Sequence, residues 1–255
     1  MRARGFTLTE LAIVVVIIGF LIGGLLVPLA TQMDVRRVAE TQKTMELARD
    51  ALLGFAASNG RLPCPAAPAT TGAESPVGGG ACTNSYNGFL PAVTLGITPT
   101  DAQGYAIDAW GNRIRYAVPN VSTLTVPPVS NPFTTANGLR TATMFAMSQI
   151  ATAPLSTFIN VCNSATGVTA LAPANPCGAA TTLSGKVPAL MFSLGKNAKT
   201  AGNDPDESEN LNNDLVFVTH DASPAGSTTG EFDDIVTYLS LNQLFNRMIA
   251  GGALP

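Results

Sequence analysis

A long uncharged stretch opens the chain, and the polarity pattern changes sharply after it. The residues from Leu11 to Met33 include no charged side chain. About 20 apolar residues in a helix are enough to cross the roughly 30 Å hydrocarbon core of a bilayer. Glu10 stands immediately before the stretch. The pattern therefore predicts a membrane-spanning helix over about residues 11–33, with a carboxylic acid at its head.

From Asp34 to Ser58 the pattern becomes that of an amphipathic helix. Apolar residues recur at spacings of three, four and seven, which places them on one helix face: Val35, Val38, Met45, Ala48, Leu52 and Phe55. Asn59-Gly60 predicts the end of the helix, because glycine readily adopts the left-handed conformation that follows a helix C-terminus. The pattern thus predicts one helix over residues 6–60, whose second half packs against a globular head.

The residue pattern from 61 to 255 predicts a globular head that is rich in strands and loops. The stretch from 61 to 104 holds too many Pro and Gly residues for regular structure. Short runs of β-branched and aromatic residues predict strands at Thr141–Ala146, Pro188–Leu194, Leu215–Thr219 and Ile235–Leu239. No helix long enough for a crossover separates these runs, so we expect an antiparallel sheet.

The end of the chain predicts a short amphipathic helix. Ser240 and Gln243 have the spacing of a capping box, directly after the last predicted strand. Residues 148–185 are interpreted as an insertion in the head. The predicted fold class is therefore α+β, with a long N-terminal helix packed on a C-terminal head that contains an antiparallel β-sheet.

Charge and composition narrow the functional classes. The 255 residues include 14 Lys and Arg against 17 Asp and Glu, a formal net charge of −3, and only 12 % of the residues are charged. Such a balance provides no basic footprint for nucleic acid, so we do not expect nucleic acid as a partner. The low content of charged residues favours an extracytoplasmic protein over a cytosolic helical enzyme.

The chain has four cysteines, Cys64, Cys82, Cys162 and Cys177. They form no CxxC pair, and with a single histidine in the chain a Cys/His zinc site is disfavoured. An even number of spaced cysteines in an exported protein indicates two disulfides, for which three connectivities exist. We favour the connectivity with two local pairings, 64–82 and 162–177, because each pairing would close a short loop.

The residues before the uncharged stretch carry a distinctive motif. Gly5-Phe6-Thr7-Leu8-Thr9-Glu10, followed by the apolar run, resembles the processing site of type IV pilins and of type II secretion pseudopilins. The resemblance implies that prepilin peptidase cleaves after Gly5, removes the leader 1–5 and methylates the new N-terminus at Phe6. It also implies that Glu10 pairs with the N-terminus of a neighbouring subunit during assembly.

The same resemblance implies a location and a set of partners. The precursor would be a single-pass protein of the bacterial inner membrane, and the mature chain would enter a periplasmic or extracellular filament. Its partners would be other copies of itself or other pilins, prepilin peptidase, and the pilus or secretion assembly machinery. The N-terminal helix would then serve as a transmembrane segment before assembly and as the filament core afterwards.

A second motif lies in the middle of the chain. Asp108-Ala-Trp110-Gly111-Asn112-Arg-Ile-Arg-Tyr116 predicts a turn that leads into a strand. The motif also resembles the D-x-W-G-N-x-x-x-Y signature of major pseudopilins and related pilins. We interpret Trp110 as a packing residue at the point where the head meets the helix.

The densest acidic stretch runs from residue 202 to 214 and is followed by Phe232-Asp-Asp234. Loops rich in oxygen atoms can bind Ca²⁺, which takes six to eight oxygen ligands. Major pseudopilins resemble this arrangement in placing a calcium-binding loop before the final strand. No cofactor is required, and a structural Ca²⁺ is the one candidate; its predicted ligands are Asp204, Asp206, Asp214 and Asp234. The alternative is a solvated acidic loop.

The chain shows no combination of residues that indicates an enzyme. Ser193-Leu-Gly-Lys196 matches the S-x-x-K motif of penicillin-binding proteins, but the S-D-N and K-T-G partner motifs are missing. His220-Asp221 has no accompanying G-x-S-x-G nucleophile motif. We therefore expect a structural protein without a catalytic site.

Three functional hypotheses remain open. The first is a subunit of a type IV pilus-like filament, favoured by the two predicted disulfides and the insertion. The second is a pseudopilin of a type II secretion system, favoured by the acidic loop and the Trp-Gly-Asn motif. The third, from another class, is a membrane-anchored monomeric domain with a binding or hydrolytic role.

Overall fold

A computed structural model describes residues 7–69, 71–121, 130–141, 153–200 and 204–254. Of residues 22–30 and 141 it describes the backbone and not the side chains. The predicted leader 1–5 and Phe6 lie outside the described residues. The predicted strand Thr141–Ala146 also lies outside them, except for Thr141 itself, which ends a short helix.

One continuous helix forms the N-terminal part of the protein. This helix, α1, spans Leu8–Asn59, a length of 52 residues. It ends as predicted at Gly60, whose φ of 64° is the left-handed conformation that glycine adopts without steric cost. We call α1 the stem and residues 61–254 the head. Among the described residues, no helix is both long enough and apolar enough to span a membrane. The predicted span 11–33 includes residues 22–30, whose side chains lie outside the described part.

The described residues of the head form two small β-sheets, which confirms the predicted α+β class. Their strands are β1 (Gly88–Phe89), β2 (Arg115–Ala117), β3 (Ile159–Cys162), β4 (Thr182–Val187), β5 (Ala189–Ser193), β6 (Val216–Val218) and β7 (Ile235–Leu239). The first sheet has the order β1-β2-β5-β7 and is antiparallel throughout. The second has the order β4-β3-β6.

The second sheet departs from the predicted antiparallel arrangement. Strands β3 and β6 are parallel, with Val161 opposite Phe217. The prediction considered only consecutive strands, whereas β4 and β5 lie between β3 and β6 in the chain. The region 148–185, interpreted from sequence as an insertion, contributes β3, the central strand of this sheet, and part of β4.

Short helices complete the head. They are α2 (Ala92–Leu95), α3 (Gly138–Thr141), a 3₁₀ turn (Leu155–Thr157), α4 (Pro205–Leu211) and α5 (Leu241–Ala250). The capping box predicted for the last helix is present, with Ser240 Oγ accepting from Gln243 N at 3.2 Å and Gln243 Oε1 accepting from Ser240 N at 3.1 Å. These reciprocal bonds begin α5 immediately after β7.

The core joins the upper stem to the first sheet and to α5. Met45, Ala48 and Leu52 of α1 are fully buried in one cluster with Leu244 and Met248 of α5. The spacings of three and four residues on α1, and of four on α5, are those of a single apolar helix face. The predicted packing of the second half of the long helix against a head is therefore observed.

Two disulfides close loops of the head. Cys64 is bonded to Cys82 and Cys162 to Cys177, with Cα–Cα distances of 5.4 and 5.7 Å. These are the two local pairings that the sequence favoured. Short covalent loops of this kind restrict the unfolded chain and so stabilise the head. Among the described residues of segment 61–104, the regular elements are β1 and α2.

Candidate functional site

The N-terminal motif forms a capping box at the start of α1. Thr7 is the N-cap residue, and its hydroxyl accepts from Glu10 N at 3.3 Å. Glu10 Oε2 in turn accepts from Thr7 N at 2.9 Å and from Thr7 Oγ1 at 2.8 Å. These bonds satisfy backbone donors that a helix N-terminus leaves without an intrahelical partner.

Within this single chain, the carboxylate of Glu10 is therefore held by its own helix terminus. From sequence, Glu10 was predicted only to pair with a neighbouring subunit. The spacing Thr7-Leu-Thr-Glu10 is the S/T-x-x-E signature of a capping box, and it was the available indication of this local role. The cleavage residues Gly5 and Phe6 lie outside the described residues.

A second candidate site is a cluster of three carboxylates in the head. Glu207 comes from α4, and Asp233 and Asp234 immediately precede β7. One oxygen atom from each residue lies within 4.8 Å of the others. Glu207 is fully buried and Asp234 is 6 % exposed. We call Glu207, Asp233 and Asp234 the acidic cluster.

Each carboxylate of the acidic cluster has one oxygen fixed by the protein. Glu207 Oε1 accepts from Asn197 Nδ2 at 2.8 Å and from Asp233 N at 3.2 Å. Asp233 Oδ2 accepts from the backbone of the 196–197 loop at 2.8 and 3.1 Å. Asp234 Oδ2 accepts from Asn210 Nδ2 at 2.7 Å. The hydrogen bonds therefore orient all three side chains.

The other oxygen of each carboxylate is buried without a hydrogen-bond partner among the described residues: Glu207 Oε2, Asp233 Oδ1 and Asp234 Oδ1. Asn197 Oδ1 is in the same condition. Buried polar atoms are nearly always paired in folded proteins, so a group of unpaired oxygens requires a proton or a cation. Carboxylate oxygens of this kind are suitable ligands for a hard cation such as Ca²⁺.

The electrostatic environment of the cluster leads to the same two alternatives, a bound proton or a bound cation. Burial, together with the neighbouring Glu207 and Asp233 carboxylates, raises the pKa of Asp234 to about 8. Burial likewise raises the pKa values of Glu207 and Asp233. Because desolvation and like charges both disfavour ionisation, Asp234 retains its proton near neutral pH unless a cation compensates the charge.

The structure places the predicted calcium ligands in different environments. Asp234 belongs to the acidic cluster. Asp206 instead accepts from His220 Nε2 at 3.0 Å and from Ala165 N at 2.6 Å. Asp214 accepts from Val216 N at 2.8 Å at the start of β6, and Asp204 is the N-cap residue of α4 without a side-chain cap bond. The structure thus brings Asp234 together with Glu207 and Asp233.

The Asp108–Tyr116 motif forms a turn that connects the stem, β5 and the loop beside the acidic cluster. Asp108 Oδ1 accepts from Trp110 N at 2.9 Å and from Asn112 N at 2.8 Å, while Asp108 Oδ2 accepts from Ser193 Oγ at 2.6 Å. Ala109 N donates to Thr41 Oγ1 of α1 at 3.1 Å. The motif therefore fixes the position of the head on the stem.

The S-x-x-K residues are engaged in the same region. Ser193 is fully buried and donates to Asp108, and Lys196 Nζ donates to Asp34 of the stem at 2.7 Å. In the structure these contacts connect the end of β5 to the turn and to the stem.

Comparison with known proteins bears on the N-terminus. Residues 1–26 match the family model described as the prokaryotic N-terminal methylation motif. No curated protein and no solved structure matches the chain. The chain thus carries at its N-terminus the prepilin-type signal of type IV pilins and pseudopilins.

Proposed function

We propose that this chain is a structural subunit of a type IV pilus-like filament. The observation that carries the proposal is the continuity of the methylation motif at residues 1–26 with a single 52-residue helix that projects from the head. In this proposal, prepilin peptidase cleaves after Gly5 and methylates Phe6. The mature chain is inserted in the inner membrane and then polymerises through α1 into a periplasmic or extracellular filament.

In this proposal, Glu10 sets the axial position of one subunit relative to its neighbour. An ionised carboxylate in a bilayer is costly unless it is paired. In the single chain, the carboxylate of Glu10 already accepts from its own helix terminus. A neighbour's N-terminal ammonium group adds a full opposite charge, which makes a stronger partner than neutral donors. Assembly is therefore favoured at the axial position where that ammonium group reaches Glu10.

Glu10→Gln tests this role with little change to the helix. Glutamine also serves at the third position of a capping box, so the variant keeps the cap and loses only the charge. We expect Glu10→Gln to be cleaved normally, to remain in the membrane fraction, and to lower the yield of sheared filaments at least tenfold. The measurement is quantitative immunoblotting of the sheared and membrane fractions, with intact mass and N-terminal sequencing of both.

Thr7→Ala is the matched control, because it removes the hydroxyl of the cap and keeps the charge of Glu10. We expect filaments from this variant at close to the wild-type yield. Equal filament yields from Glu10→Gln and the wild type would contradict the pairing. A processed chain confined to the membrane or periplasmic fraction would favour the pseudopilin hypothesis, and an uncut leader would favour the membrane-anchored domain.

We also propose that the acidic cluster binds a structural Ca²⁺ ion. The unpartnered oxygens of Glu207, Asp233 and Asp234, whose side chains lie close together, support this proposal. The ion would hold α4, the 196–197 loop and the start of β7 together. It would supply no chemistry beyond charge compensation, in agreement with the expected absence of enzymatic activity.

A further inference from the structure

A cleft of about 400 Å³ lies between the stem and part of the head. Its lining includes Asp34 and Val38 on the stem, and Trp110 and Lys196 on the head. We call this space the junction cleft. Further along α1, beginning at Met45, apolar side chains of the stem are buried in the core of the head. The core therefore holds the upper stem, and the contacts at the cleft decide how the lower stem is held.

Polar contacts join the head to the stem beside the junction cleft. Lys196 Nζ donates to Asp34 Oδ2 at 2.7 Å, and Ala109 N donates to Thr41 Oγ1 at 3.1 Å. Asp34 and Thr41 are seven residues apart, which is about 10 Å along the helix axis. The Lys196–Asp34 ion pair thus attaches the head at a second, lower point of the stem and restricts the direction in which the lower stem leaves the head.

The backbone that carries Lys196 is held by the acidic cluster. Asp233 Oδ2 accepts from Lys196 N at 2.8 Å and from Asn197 N at 3.1 Å. Glu207 Oε1 accepts from Asn197 Nδ2 at 2.8 Å. Gly195 has a φ of 60°, and a Cβ atom at this position would overlap Asp233, so the loop lies directly against this carboxylate. The position of Lys196 therefore depends on the positions of Glu207 and Asp233.

A cation in the acidic cluster would fix these two carboxylates relative to each other. Glu207 belongs to α4 and Asp233 precedes β7, so repulsion between their charges favours separation of the two elements. A Ca²⁺ ion bound by the unpartnered oxygens, Glu207 Oε2 and Asp233 Oδ1, replaces this repulsion with attraction. The other oxygen of each carboxylate, which holds the 196–197 loop, then keeps a constant position.

We propose that cation binding in the acidic cluster and formation of the Lys196–Asp34 ion pair are energetically coupled, so that the bound ion fixes the lower stem on the head. The inference rests on the proposed Ca²⁺ site and gives that site a role in the head–stem geometry. Coupling is reciprocal, so the ion pair raises the affinity for the ion by the same factor. Lys196 and Asp34 are 63 % and 36 % exposed, and exposed ion pairs contribute little, so we expect a factor of about two to five.

Isothermal titration calorimetry of the full-length chain in detergent, with CaCl₂ as the titrant, measures this factor. The double variant Asp34→Asn/Lys196→Met removes the ion pair and keeps the net charge of the protein. We expect its dissociation constant for Ca²⁺ to be about two- to fivefold higher than that of the wild type. Lys43→Met/Asp50→Asn is the matched control, because it removes the same two residue types from exposed positions of the stem outside the cleft lining. This control should bind Ca²⁺ as the wild type does.

Distances between two spin labels test the head–stem geometry directly. Gln32→Cys places one label on an exposed position of the stem, and Leu183→Cys places the other in β4, where Leu183 is 48 % exposed. All four native cysteines are in disulfides, so the introduced cysteines are the only free thiols. We expect saturating Ca²⁺ to narrow the distance distribution when the ion pair is intact, and to leave it broad in the Asp34→Asn/Lys196→Met background.

The outcomes separate the coupling from the ion site. Unchanged Ca²⁺ affinity in Asp34→Asn/Lys196→Met would overturn the coupling and leave the ion site standing, and so would equal distance distributions with and without Ca²⁺ when the ion pair is intact. Equal weakening in Lys43→Met/Asp50→Asn would assign the effect to distant charges and would also overturn the coupling. A wild-type chain that binds no Ca²⁺ would overturn the ion site itself, and the inference with it.

Discussion

Replacing Arg61 with methionine lowers the free energy of unfolding of the head by about 3–5 kcal/mol, the usual cost of leaving a buried charge unpaired. Arg61 and Glu74 form a bidentate ion pair with two N–O distances of 2.7 Å. Their side chains are only 7 % and 6 % exposed. Glu74 also accepts from Cys64 N at 3.1 Å and from Gly78 N at 3.2 Å. The variant therefore leaves the Glu74 carboxylate buried without its cation, although this carboxylate holds the loop that the Cys64–Cys82 disulfide closes.

Two matched variants define the origin of this loss. Arg61→Met combined with Glu74→Met removes both charges, and we expect the double variant to be more stable than Arg61→Met, because no charge remains buried alone. Arg113→Met breaks the partly exposed pair with Asp101 and should cost about 1 kcal/mol or less. Urea unfolding of all variants, followed by circular dichroism, measures the differences. Equal losses from Arg61→Met and Arg113→Met would show that burial is not the cause.

The sequence predicted the local features of this fold well. The end of α1 at Gly60, the start of α5 at Ser240 and strand β7 depend on neighbouring residues, and the structure has each of them where the pattern placed it. The two disulfides close loops with separations of 18 and 15 residues, so local pairing was a sound criterion.

Contacts between distant segments could not be predicted in the same way. The parallel pairing of β3 with β6 joins strands that β4 and β5 separate along the chain, and no periodicity along one strand reports the identity of its neighbour. The acidic cluster joins Glu207 to Asp233 across a separation of 26 residues. The sequence predicted Asp204, Asp206 and Asp214 of the 202–214 stretch as ligands and did not single out Glu207. The fold places Asp206 against His220 and Glu207 against Asp233.

The acidic cluster predicts an unusual dependence of stability on pH. The pKa of Asp234 rises from its ordinary value of 3.8 to about 8 on folding, chiefly through burial. The folded state therefore holds more protons than the unfolded state between these values, and stability falls as pH rises. The slope is at most about 1.4 kcal/mol per pH unit for one proton. Glu209, whose pKa burial raises to about 7, contributes in the same direction.

We therefore expect the full-length chain, solubilised in detergent with a chelator, to lose several kcal/mol of stability between pH 5 and pH 8. Saturating Ca²⁺ should restore much of this loss at pH 8, since a ligand at about 100 times its dissociation constant stabilises by roughly 2.7 kcal/mol. At pH 5 the ion should have little effect, because the proton on Asp234 competes with it. Thermal unfolding at both pH values, with and without Ca²⁺, measures the two effects.

Asp234→Asn and Asp221→Asn make this prediction specific to the acidic cluster. Asparagine at 234 cannot ionise, so the variant should show a shallower loss of stability with pH and little response to Ca²⁺, while Glu209 keeps part of the slope. Asp221 is exposed and lies outside the acidic cluster, so Asp221→Asn should behave as the wild type does. A wild-type chain whose stability rises from pH 5 to pH 8 in chelator would mean that the three carboxylates are ionised without an ion. Such a result would exclude both the raised pKa of Asp234 and the need for a compensating cation.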